Sequence, residues 1–195
     1  MLMYDLLNSF VRKLFPLCRA DLTLVEPLLK LKKFDRGKFI FKEGDVCDFV
    51  GLTTRGCLRT FILQDGKELT LFFHPENHTL GDYESLRKQK PACFSCQAIE
   101  DSEVLIIDLQ VIKVLESEPD GQKLLRLIVE DLAFELRDRL LSLYRDSPKQ
   151  RYLDLLENKP QLLQRIPQYY LASYLAIEPE SLSRLKRRIY EQNLT

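Results

Sequence analysis

The segment LASYLAIEPESLSRLKRRI, from Leu171 to Ile189, gathers the densest set of side chains able to bind a polyanion: Ser181, Ser183, Arg184, Lys186, Arg187 and Arg188. No acid interrupts the run from Leu182 to Tyr190. Guanidinium forks match the paired acceptors of a guanine edge, and hydroxyls reach phosphate oxygens. Leu182, Leu185 and Ile189 recur at i, i+3 and i+7, which gives a helix an inward face. Ser181, Arg184 and Arg188 then share another face, with Arg187 beside it. Upstream, Pro167 suits a first helical position, and a first helix runs to about Leu175. Ala176-Ile177-Glu178 is the turn, with Ile177 as its buried plug, and Pro179 opens the second helix. Two short helices around a compact turn, with the charge confined to the second, read as a DNA-binding helix-turn-helix. A solvated basic surface helix is the competing reading.

Other chemistry-bearing residues form weaker patterns. Cys93 and Cys96 make one CxxC, but Cys18, Cys47 and Cys57 supply no matching cluster for a four-thiolate iron–sulfur site. His74 and His78 are the only two histidines. They raise a β-roll metalloenzyme of the cupin kind as a rival, but that site calls for a third histidine. No metal ligands and no catalytic residues are assigned, and the expected protein is not an enzyme.

Charge and composition narrow the options. Lys+Arg and Asp+Glu balance at 29 each over 195 residues, so a nucleic-acid contact has to come from a local patch. Hydrophobic content of 45% and charged content of 30% are those of a globular chain with a real core. MLMYDLLNSFVRKLF carries apolar residues at helical spacing but is broken by Asp5, Asn8, Arg12 and Lys13. It reads as an amphipathic helix packed on its domain rather than a signal peptide or a membrane span. Five cysteines without a secretory signal point to reduced thiols and a cytoplasmic location.

These residues must be positioned by four zones. Residues 1–33 show helical spacing through Leu6, Leu7, Phe10, Leu14, Leu24, Leu28, Leu29 and Leu31, with Pro16 and Pro27 limiting each piece. From Phe34 to about Leu109 the period is two, in short runs punctuated by glycine, as in a sandwich or jelly roll. Asp65-Gly66 between two such runs signals a type I′ hairpin. From Val111 to Arg145 the pattern is helical, with Leu125, Val129, Leu132 and Leu136 in one stripe and a wide apolar belt around it. Such a belt predicts a long helix that faces its own domain on one side and a second copy on the other. A further helix runs from Ser147-Pro148 to about Asn158.

The ordered pieces DRGKFIFKEGD (35–45), RGCLRTFILQDGKELTLFF (55–73), LGDYES (80–85), AIEDSEVLIIDL (98–109), KQRYLDLLENKPQLLQRIP (149–167) and LASYLAIEPESLSRLKRRI resemble the Crp/Fnr family of bacterial transcription regulators, the catabolite-activator type. The resemblance runs from about residue 20 to the C-terminus. It implies an α+β chain: a cyclic-nucleotide-binding-like β-roll or jelly roll with N-terminal helices (1–110), a dimerisation helix (111–146), and an all-α helix-turn-helix DNA-binding domain (147–195). The implied partners are double-stranded DNA, a second copy and a small-molecule effector of unknown identity, without a membrane.

The resemblance also places an effector pocket at Gly81, Asp82, Ala92 and Cys93. In relatives that bind cyclic nucleotides, a Gly-Glu pair meets the ribose and an Arg-Ser or Arg-Thr pair grips the phosphate. Here those positions hold Gly81-Asp82 and Ala92-Cys93. Ala92 offers no guanidinium, so cyclic AMP is not expected as a cofactor. Arg87, Lys88 and Lys90 lie between the two pairs. The chain stops at Thr195, so no wing is expected after the second helix. Ala176 stands where glycine is usual, and Glu178 replaces the usual helix-capping Ser or Thr. A small-molecule or interaction module with a vestigial DNA-binding domain is the alternative function.

Overall fold

A computed structural model describes residues 3–16 and 21–192; Cys18 lies outside the described residues. Packing divides the chain into two compact units, residues 1–60 with 73–135, and residues 61–72 with 136–195. The described residues form eight strands: β1 (Lys30–Phe34), β2 (Phe39–Phe41), β3 (Phe49–Arg55), β4 (Leu58–Gln64), β5 (Lys67–His74), β6 (Thr79–Leu80), β7 (Ser95–Ala98) and β8 (Ser102–Asp108). They form two four-stranded sheets, ordered β1-β8-β3-β6 and β2-β7-β4-β5. Phe34, Phe41, Phe49, Leu58, Leu80, Cys96 and Val104 fill the core of this β-roll. Asp65 and Gly66 both take positive φ (51° and 76°), which the expected I′ turn between β4 and β5 requires.

Helix α1 (Met3–Leu14) turns Leu7, Phe10 and Val11 into a second core with Leu52, Leu105, Val111, Leu115 and Leu124. This is the amphipathic packing its spacing predicts. Beyond it, the helical reading of residues up to 33 fails. The chain makes two 3₁₀ turns, Leu22–Leu24 and Glu26–Leu28. It then extends, and Leu31 lies in β1, opposite Leu105 of β8. Leucine spacing cannot register the open edge that β8 offers; pairing with that edge outweighs local helix preference.

A short helix, α2 (Tyr83–Lys88), interrupts the strands. The helical zone that follows is two helices, α3 (Leu109–Glu116) and α4 (Pro119–Arg145). Pro119 has no N–H to continue α3, so it starts a new helix instead. Gly121 permits the close turn there, because a Cβ would stand 2.2 Å from Leu115 O.

The second unit holds the end of α4, then α5 (Pro148–Asn158), α6 (Pro160–Arg165), α7 (Gln168–Tyr174) and α8 (Pro179–Gln192), together with the β4–β5 hairpin tip. Ser147 and Gln150 close a capping box on α5. Its buried residues come from each short helix: Tyr152, Leu155, Leu162, Leu171, Leu175, Leu182 and Ile189. Two arginines with little exposure tie the unit together. Arg151 donates to the carbonyls of Asp146 (2.5 Å), Leu175 (2.6 Å) and Ser142 (3.3 Å). Arg139 donates to those of Tyr174 (2.6 Å) and Leu71 (3.2 Å), with its guanidinium 3.7 Å over the Tyr174 ring. Both cations therefore reach the C-terminal carbonyls of α7, the end a positive charge stabilises. Desolvation lowers the pKa of Arg139.

Candidate nucleic-acid interface and the β-roll cassette

Helices α7 and α8 are joined by the short turn from Leu175 to Glu178. Ile177 N donates to Ala172 O (3.0 Å) and Ala176 N to Ser173 O (3.0 Å), closing α7 with a Schellman-type cap. That cap holds Ala176 at φ 55°, a left-handed residue that costs about 1 kcal/mol more as alanine than as glycine. Ile177 is half-buried rather than the fully buried plug the sequence suggests. The capped turn is closed by backbone bonds and needs less of its side chain.

On α8, Leu182 and Ile189 are buried and Leu185 is half-buried. Ser183, Arg184, Arg187 and Arg188 are exposed. Ser181 is half-buried and accepts a bond from Arg184 Nη2 (3.4 Å), so those two do share a face. Arg187 makes a long i,i+4 pair with Glu191, at 3.9 Å. Lys186 leaves the basic cluster: its ammonium bonds Gln168 Oε1 (2.7 Å) and lies 5.8 Å from the centre of the Tyr152 ring. Partial burial lowers its pKa. An exposed row of guanidinium groups on a helix packed through its opposite face can present two-pronged donors to base edges and phosphates.

The β-roll cassette is arranged differently. Gly81 has φ 122°, and a Cβ there would meet Val50 at 2.9 Å. Asp82 is buried and caps α2, its Oδ1 accepting from Ser85 N at 2.9 Å. Ser85 Oγ in turn accepts from Cys47 N (2.9 Å) and donates to Lys90 O (2.5 Å). Ala92 is buried in the roll core, and its backbone pairs with Gly44 and Asp45. Cys93 is exposed, with its thiol 3.9 Å from Asp82 Oδ2. Desolvation and the Asp82 carboxylate raise its pKa, which keeps it a thiol at neutral pH.

Thus the structure brings Asp82 and Cys93 together but gives the first a capping role, and Ala92 a packing one. The three cations of the intervening loop are engaged as well: Arg87 with Glu116 (2.9 Å), Lys88 and Lys90 with Glu84 (2.7 and 3.3 Å). Those two lysines hold the Glu84 carboxyl below its usual pKa.

Of the stripe on α4, Val129 and Leu136 are exposed and Leu125 and Leu132 half-buried. Leu125 and Val129 line an open groove of ≈ 620 Å³ with Tyr83, Gln122 and Ala133. Further along, Phe134, Leu140, Leu141 and Tyr144 are also exposed.

Sequence reasoning did not single out Arg59, Arg139 and Arg151. Arg59 is fully buried and donates to Gln97 Oε1 at 2.8 Å. Its signal was present as a charge inside the apolar run CLRTFIL. Nothing in the local sequence marks the other two. No group of three or more metal-ligating side chains occurs among the described residues, and no described helix is long and apolar enough to cross a membrane.

Residues 31–118 match the sequence model of the cyclic nucleotide-binding domain. No curated protein matches the chain. Among solved structures, FixK2 from Bradyrhizobium japonicum superposes with TM-score 0.70 at 19% identity, covering 85% of this chain and 86% of that one. The c-di-GMP-responsive global regulator CLP from Xanthomonas campestris gives TM-score 0.69 at 16% identity, over 89% and 94%. The catabolite activator protein of Thermus thermophilus gives 0.54 at 23% identity, over 92% and 86%. Residues 31–118 are therefore a cyclic nucleotide-binding-type domain. The chain as a whole shares the α+β fold of these three structures.

Proposed function

We propose that this protein is a dimeric, cytoplasmic transcription regulator that reads duplex DNA with α8 and is not an enzyme. The observation that carries the reading is the exposure of Arg184, Arg187 and Arg188 on a helix whose opposite face is packed through Leu182 and Ile189. Arg184, nearest the N-terminus of α8, meets a base edge, and Ser183 and Arg188 meet phosphate. Ser181 and Arg187 flank the contact. The apolar residues of α4 that stay exposed or half-buried, with Leu125, Val129, Leu132 and Leu136 as the central stripe, are the seam with a second copy.

The β-roll is the sensor region, and its effector is not cyclic AMP gripped in the usual way. Asp82 and Ala92 are already used by the fold, and Arg87, Lys88 and Lys90 are paired.

Selection of bound fragments from a random duplex pool at low salt tests the reading. The expected product is a site with two half-sites about one helical turn apart. A protein that is monomeric by sedimentation, or that enriches no sequence, would return the chain to the interaction-module reading.

A further inference from the structure

Strand β5 is the outermost strand of its sheet, β2-β7-β4-β5. Its outer edge carries backbone groups that no further strand pairs, and such edges are normally blunted or covered. Here side chains from the DNA-reading unit do the covering. Ser173 Oγ of α7 accepts from Thr70 N (2.8 Å) and donates to Glu68 O (2.7 Å), so one serine serves two positions of the strand edge. Arg139 Nε takes Leu71 O while its Nη2 holds Tyr174 O, at the end of the same helix α7. At the hairpin tip, Lys67 Nζ meets Glu178 Oε1 at 2.6 Å, and this bond raises the Lys67 pKa. Glu178 immediately precedes Pro179, the first residue of α8.

The hairpin therefore grips the first helix and the turn, the two pieces that fix where α8 points. Lys67 also neutralises the one carboxylate of the Ala176–Glu178 turn, at the end of α8 where a DNA phosphate would be repelled.

We propose that the β4–β5 hairpin is a positioning arm of the DNA-reading unit: Ser173, with Lys67 and Arg139, holds α8 in its binding pose. The inference rests on the DNA-reading function proposed above. Ser173 and Lys67 are positioning residues and touch no base themselves.

The test uses the full chain and a duplex taken from the random-pool selection. Amide exchange at Thr70 reports the grip directly, without DNA. Ser173→Ala removes both edge bonds; Thr70 should lose its protection, and duplex affinity at low salt should fall about tenfold. Ser173→Thr, which keeps the hydroxyl, should restore most of both. Loss of Thr70 protection with unchanged affinity would reduce the hairpin to packing and overturn the inference, leaving DNA reading intact. Unchanged Thr70 exchange would overturn it too. If the wild-type chain binds no duplex, the reading and the inference both fall, whatever Thr70 shows. Should Ser173→Ala not fold, Lys67→Ala alters an exposed pair instead; about twofold weaker binding is expected, and unchanged affinity overturns the proposal.

Discussion

The cassette between Gly81 and Cys93 and the helix between Pro179 and Gln192 are both places where a ligand is expected, and they use their polar groups in opposite ways. In the cassette almost every polar or charged side chain already has a partner in the fold. Asp82 caps α2, Ser85 bridges Cys47 and Lys90, and the three cations are paired with Glu84 and Glu116. On α8, Arg184, Arg187 and Arg188 stay exposed; among the described residues Arg184 bonds Ser181 at 3.4 Å and Arg187 pairs with Glu191 at 3.9 Å. A ligand must replace existing bonds in the first region and only water in the second. Functional capacity follows the groups that folding leaves unspent.

The difference can be attacked from either side. Cyclic AMP titrated into the protein should give no binding heat at micromolar nucleotide, because no guanidinium stands at Ala92 to meet a buried phosphate. Micromolar affinity by calorimetry would show that the loop cations leave Glu84 and Glu116 for the ligand, and the contrast would collapse.

The second unit depends on an arginine of the other kind, one fully committed to the fold. Arg151→Ala should destabilise the protein by about 3 kcal/mol in chemical denaturation, because three carbonyls lose a charged donor. A loss confined to DNA affinity, with stability unchanged, would move Arg151 from scaffold to interface. In the cassette, Asp82→Ala should cost about 1 kcal/mol of stability, the value of an N-cap. The same denaturation experiment decides it: a stable variant would mean that the carboxylate is held for something other than α2.

Much of this was legible in the sequence because it is local. The I′ turn at Asp65-Gly66, the amphipathic α1, the capped start of α5 and the turn from Ala176 to Glu178 each depend on residues within a few positions of one another. Exposure of the α8 arginines follows from the i, i+3, i+7 spacing of Leu182, Leu185 and Ile189. What could not be read depends on distant partners. Leu31 joins a strand because β8, some seventy positions away, offers an edge. Lys186 sits in the basic run, yet Tyr152 and Gln168 draw it off the interface. Arg139 and Arg151 look like ordinary surface charges of amphipathic helices until the end of α7 is placed beside them. In the cassette, sequence showed that the phosphate grip was missing at Ala92. It did not show that Asp82 would be taken up as a cap.

Whether the α8 arginines read DNA, as proposed, shows in the salt dependence of duplex affinity. On a selected site, Arg188→Ala should weaken binding to all sequences and lower the slope of log affinity against log salt by about one, as loss of a phosphate contact does. Arg184→Ala should leave most of that slope in place and relax specificity at one base pair, at a cost of about 1–3 kcal/mol there. Equal affinity and equal slope for wild type and both variants at low salt would contradict the account.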